Sequence, residues 1–191
     1  MPSSQSRDPL ALRALAHPLR WKLIDLLGSE RSATATRCAE VLGESVASCG
    51  YHLGILAKYG YVEPVPDQAG REKPWRLARR EQDLSPDELD EPGTLAAQAA
   101  TEVFLDHELA RIKDRSRRRD LETDEWRAAS HLLGVSKWMT AAEFQEIKDQ
   151  LQEIAGRYSD RDDDPGRRPP DAREVRIFAA TSVAPRPVRP R

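Results

Sequence analysis

The spacing of apolar residues changes abruptly at Gly60, and few folds accommodate what lies on either side. In residues 34–60 apolar side chains recur every three or four positions, the period of helices buried along one side. In residues 61–77 the period shortens. Tyr61, Val62 and Val65 read as a strand, residues 66–72 as a turn, and residues 73–77 as the returning strand. Pro64, Pro66 and Pro74 lack the amide hydrogen a ladder needs, so this hairpin must lie at an edge.

The helical part divides further. Residues 34–42 form a short helix capped by Thr34 or Thr36, with Cys38, Val41 and Leu42 inward. Gly43 and Glu44 make the turn. Ser45 caps a second helix that Gly60 ends, with Val46, Cys49, Leu53 and Leu56 inward. Its outward face then holds Ser45, Ala47, Ser48, Tyr51 and His52. Gly50 costs up to ~1 kcal/mol of helix propensity relative to Ala. It either lets a backbone approach closely or packs against a neighbouring helix. Upstream, Leu12, Leu15, Leu19, Leu23, Leu26 and Leu27 keep helical spacing across residues 10–27. His17-Pro18 splits that run, with Pro18 in the first turn of the second piece and Gly28-Ser29 at its end.

A helix, two short helices about a tight turn and an edge hairpin, in this order, make a winged helix–turn–helix arrangement. The segments LRALAHPLRWKLIDLL, AEVLGESVASCGYHLGILAKYGYV and GREKPWRL resemble the ArsR-like winged-helix transcriptional regulators over about residues 10–80. The resemblance implies a homodimer that places one helix of each protomer in successive major grooves of a palindromic operator, on double-stranded DNA. The expected DNA-facing residues are Arg37 on the preceding helix, Ser45, Ala47, Ser48, Tyr51 and His52 on the second helix, and Arg71 and Lys73 at the wing. The second helix carries no Arg or Lys before Lys58, so positive charge must come from its surroundings. Arg76, Arg79 and Arg80 follow the wing.

Charge is unequally divided. Residues 1–80 hold 12 basic and 8 acidic side chains, and residues 81–191 hold 18 and 24. The basic half is the one expected to meet a polyanion. Residues 81–93 are acidic and Pro-punctuated, a linker. Residues 94–119 read as a long helix with a thin stripe of Leu95, Ala99, Val103 and Leu109 to Ile112, the expected dimer element. Residues 130–139 and 174–183 read as strands. Between them Thr140 and Glu143 open a helix with Phe144, Ile147, Leu151, Ile154, Ala155 and Tyr158 inward. Residues 184–191 read as a disordered tail. The expected class is thus α+β and mostly helical: a winged helix–turn–helix domain at 8–80, a long dimerisation helix, and a small strand–helix–strand region within 94–183.

Trp126, Trp138, Phe144 and Phe178 fall in that last region and line either a small core or an apolar effector pocket. Cys38 and Cys49 fit the inward stripes and behave as small hydrophobes. A metal- or thiol-responsive sensor built on them is the alternative, as is a winged-helix module that binds protein. Asp106, His107 and Glu108 are adjacent on a helix, point about 100° apart and do not converge on one ion. No phosphate loop, nucleophile elbow or credible triad marks an enzyme, and no cofactor is expected. The longest apolar runs fall short of the roughly 18 residues that cross a bilayer, and residues 1–15 lack a secretory pattern. The expected location is the cytoplasm.

Overall fold

The computed structural model describes residues 8–66, 72–79, 84 and 89–184, apart from the side chains of residues 162, 163 and 165. The chain divides into two units, Met1–Glu122 and Thr123–Arg191. It is mostly helical, with one small antiparallel sheet, an α+β chain.

In the first unit, α1 (Pro9–Leu15) and α2 (Pro18–Glu30) are the two pieces expected on either side of His17-Pro18. His17 caps α2, its Nδ1 accepting from the Leu19 amide at 3.1 Å, while Pro18 occupies the first helical position, where no amide hydrogen is needed. Helix α2 runs past Gly28 and Ser29 to Glu30. It ends at Arg31, whose φ of 67° is positive without being a glycine's, a conformation an L-residue adopts only under surrounding constraint. That sharp exit leads into a two-residue strand, β1 (Ser32–Ala33), which the apolar pattern is too short to reveal.

Helices α3 (Ala35–Leu42) and α4 (Val46–Lys58) follow, capped by the Thr34 and Ser45 hydroxyls. Gly43, at φ 67° in the left-handed region, ends α3 and permits the tight turn. Strands β2 (Val62–Pro64) and β3 (Trp75–Leu77) close the sheet in the order β1-β3-β2, all antiparallel. Glu63 stands opposite Arg76 in the register, and the two side chains pair at 2.6 Å.

The core of this unit is the inner side of α2 (Leu19, Trp21, Leu23, Ile24, Leu26, Leu27) with Leu15, Cys38, Cys49, Leu53, Leu56 and Val62. The Trp21 indole N–H donates to the Leu15 carbonyl at 2.8 Å, and the Tyr61 hydroxyl donates to the Ala11 carbonyl at 2.9 Å. Burial pushes that phenol up to about 12.

Helix α5 (Glu91–Arg117) begins inside the expected linker, with Asp90 as its cap. A Cβ on Gly93 would meet Asp90 Oδ1 at 2.9 Å and the Leu89 side chain at 3.1 Å, so a larger residue there would have to displace the capping carboxylate. The stripe expected on α5 is corrected in part. Val103 packs against the core as expected, but the buried residues are Gly93, Ala96, Ala97, Ala100 and Glu108, while Leu95 and Leu109 lie exposed. Small alanines let α5 lie close against α1, and a leucine stripe there would hold the helices apart. Trp21 stacks on Phe104 with ring centres 4.6 Å apart. Below it, the Asp25 carboxylate accepts from His107 Nε2 at 2.6 Å and from the Arg111 guanidinium.

The second unit departs from expectation. It contains α6 (Asp124–Ala129), capped by Thr123, and α7 (Ala141–Gly156), opened by the expected Thr140–Glu143 capping box. Residues 130–139 and 174–183 form no strand. A strand exists only with a neighbour to take its backbone hydrogen bonds, and among the described residues no segment pairs with either stretch. None of the residues 123–184 whose side chains are described is buried. The small core expected there is not formed: Phe144 and Leu151 are half-covered, whereas Ile147, Ile154 and Tyr158 are exposed.

Burial by itself raises the Asp25 carboxyl, but the hydrogen bonds and charges of His107 and Arg111 outweigh it and hold Asp25 below its ordinary value. Its stabilising contribution is therefore complete above about pH 4, the unfolded value, and is lost as pH falls through the lower folded value. Urea denaturation at pH 7 is expected to show Asp25→Asn less stable by about 1–3 kcal/mol. Below pH 4 the difference from the native chain should shrink.

Candidate nucleic-acid interface

Helix α4 is the best-seated element with a free side. Cys49, Leu53 and Leu56 are fully buried, and His52 is buried with them. Positions 49, 52, 53 and 56 follow the i, i+3, i+4, i+7 rule. That phase turns Val46, Ala47, Tyr51, Gly54 and Lys58 outward, with Gly50 half-covered. Val46, expected inward, is exposed, as is Val41 on α3.

The Ser45 hydroxyl accepts from the Ser48 amide at 3.1 Å and so is committed to capping α4. Ala47 is exposed and Ser48 half-exposed. Tyr51 projects furthest, 64% exposed, its ring edge-on to His52 at 5.2 Å. The outward placement expected for His52 is corrected. Its ring lies against His17 with centres 4.2 Å apart, and its Nδ1 accepts from Arg20 Nε at 3.2 Å. Taking position 52 with the neighbouring 49 and 53 as one arc would have found this in the sequence.

The cations around α4 are differently engaged. Arg37 is exposed on α3 but grips Glu30 at 2.6 Å and lies 3.8 Å from Glu40. The hydrogen bond to Glu30 raises the guanidinium above its ordinary value and lowers the carboxylate. Lys73 is exposed just before β3. Arg71, expected at the wing tip, and Arg80 lie outside the described residues. Arg76 pairs with Glu63, and Arg79 donates to the Gly60 carbonyl at 3.3 Å over the Tyr61 ring. The Thr36 hydroxyl donates to the Glu72 carboxylate at 2.9 Å, tying the approach to β3 to α3.

This face offers methyls, two hydroxyls, a phenol and the charge of Lys58, and the adjoining α3 and the approach to β3 carry the exposed Arg37 and Lys73. It can contact base methyl groups and edges at close range, but it has no bidentate donor for guanine on α4 itself. A Cβ on either Gly50 or Gly54 would meet nothing within 4 Å. Gly50 therefore does not pack against a neighbouring helix, the second of its two sequence readings.

The thiols of Cys38 and Cys49 are both buried. Burial, then the neighbouring Cys49, pushes Cys38 up to about 11; burial, then Glu44, raises Cys49. Both stay protonated at neutral pH, the unreactive form. Among the described residues no group of three His, Cys, Asp or Glu side chains is placed to hold a metal ion.

In the second unit Trp138 is wholly exposed, and Trp126, Phe144 and Phe178 are half-covered. The Arg173 guanidinium lies 5.0 Å over the Trp126 ring. Among the described residues no helix is long and apolar enough to cross a membrane. The chain matches no known protein family, and no curated protein matches it significantly.

Two outcomes follow from this geometry. Gly50→Ala and Gly54→Ala should each raise the unfolding free energy by about 0.5–1 kcal/mol, because the added methyl meets open space and favours the helix. Iodoacetamide at pH 7.5, read by mass spectrometry, should leave Cys38 and Cys49 unmodified in the folded chain and label both in 6 M guanidinium.

Proposed function

We propose that residues 8–80 form a winged helix–turn–helix, and that the protein is a sequence-specific, DNA-binding transcriptional regulator of the ArsR-like kind. The observation that carries this reading is the sheet order β1-β3-β2 around α3 and α4, with one side of α4 seated in the core and the other exposed. A helix held in this way enters a major groove, and a hairpin beside it follows the phosphate backbone. Ala47, Ser48 and Tyr51 meet base edges, Gly50 and Gly54 let the duplex come close, and Lys73, Arg71 and Arg37 meet phosphates. Arg37, itself exposed, reaches a phosphate by exchanging its half-covered partner Glu30, an exchange that costs little because ion pairs near the surface are weak.

The protein acts as a homodimer on a palindromic site in the cytoplasm. The support for a dimer along α5 is its exposed leucines: Leu95 and Leu109 are four turns apart on one face, and Leu105 stands one turn from Leu109. No residue in the second unit is enclosed enough to nominate for an effector. One observation favours a second reading. The outer face of α4 carries no charge before Lys58 in its last turn, and so suits an apolar protein surface as well as a groove, which makes a protein-interaction module the alternative.

Selection from random duplexes by the purified protein decides between them. An enriched palindrome is expected, bound more weakly as salt rises, with a logarithmic slope of about −0.9 per phosphate contacted. Lys73→Ala should weaken all sequences alike and flatten that slope by about two contacts, one from each protomer. Gly50→Ala should weaken binding to the enriched site although it stabilises the free protein. No enrichment with a flat salt slope would overturn the DNA reading and leave the protein-interaction module.

A further inference from the structure

Two histidines meet beneath the exposed face of α4, and the reading above does not use them. His17 caps α2 through Nδ1, and His52 of α4 accepts the Arg20 Nε hydrogen, also through Nδ1. Both rings therefore keep Nδ1 unprotonated and carry their proton on Nε2. Their centres are 4.2 Å apart, and His52 is only 8% exposed. Arg20 is fixed by its Nη1, which donates to the Ala14 carbonyl at 2.6 Å and the Arg13 carbonyl at 3.4 Å. We propose that His17, His52 and Arg20 form a proton-sensitive latch between α2 and α4, which opens on mild acidification and loosens the seating of α4, and with it the position of its outer face.

A proton on His52 Nδ1 would set N–H against the Arg20 N–H. A proton on His17 Nδ1 would remove the cap of α2 and add positive charge at a helix N-terminus, where the helix dipole opposes it. With both charged, two cations would stand one ring apart beside a guanidinium.

The surrounding groups act in both directions. Burial and the Arg20 charge lower His17; burial, His17 and Arg20 lower His52. Glu44, in the turn before α4, raises both. Burial lowers Arg20, and Tyr51 on α4 and Tyr59 just after it oppose that without reversing it. The net direction for each histidine is downward. The neutral latch thus stabilises the fold fully above about pH 6.5, the unfolded value, and the contribution fades as pH falls to the folded values.

The consequence for binding rests on the DNA reading; the latch does not. Added positive charge ordinarily strengthens DNA binding, so an opening latch predicts the opposite sign. Three measurements on the full chain test it. In the free protein, histidine NMR titration should place His17 and His52 below 6.5, with the Tyr51 ring signals shifting at the same midpoint. Urea stability should fall between pH 7.5 and 5.5, and the fall should be largely absent in His17→Asn/His52→Gln, which keeps a cap and an acceptor. Histidines titrating at or above 6.5, or an unchanged pH slope in that variant, would overturn the proposal. On the enriched duplex, affinity should drop at least fivefold from pH 7.5 to 5.8 in the native chain and less than twofold in the variant. Binding that strengthens equally in both would overturn the latch. Failure to bind any duplex, with the free-protein transition intact, would overturn the DNA reading and leave the latch standing.

Discussion

Residues 8–122 depend on the burial of α2. Its leucines fill the centre of the core, and its polar side chains fix what surrounds them. Trp21 and Asp25 are one turn apart and face α5, where Phe104 and His107, also one turn apart, receive them. Arg20 points the other way, to His52 of α4 and the carbonyls of α1. Burying one Leu or Ile side chain contributes about 1.5–3 kcal/mol, so the apolar side supplies most of the stability. The polar contacts contribute less, but they set the angle at which each neighbouring helix is held.

Much of this was legible in the sequence where two signals coincided. The break at His17-Pro18, the caps Thr34, Ser45 and Thr140, and the buried Cys49, Leu53 and Leu56 all combine a local chemical cue with a periodic one. Where only the period spoke, the reading drifted by part of a turn. Val46 and His52 changed sides because a stripe of four residues tolerates a small rotation. The face of α5 was misread for a different reason. Leucines draw attention, yet close helix packing favours alanine, so the buried residues there are the less conspicuous ones. β1 has two residues and no pattern at all; its position follows from Arg31 and from β3.

The second unit shows the limit of pattern reading. Alternation in residues 174–183 is a statement about side chains, whereas a strand is a statement about a neighbour. Helix α7 keeps its helical stripe and its capping box, but its apolar side chains remain half-covered or exposed. Local cues specify local structure there, and among the described residues no tertiary partner converts them into a core.

The free side of α4 has a consequence for how such a protein changes over generations. Ala47, Gly50 and Gly54 stand where a new side chain opens no hole and displaces no neighbour, and surface changes of that kind shift stability by about half a kcal/mol or less unless they alter helix propensity. The helix is anchored by one set of residues and meets its surroundings with another. On the proposed reading, a single codon change at these positions redirects what the helix recognises without first requiring a compensating repair of the core, so that diversification of specificity is open to this chain by single steps.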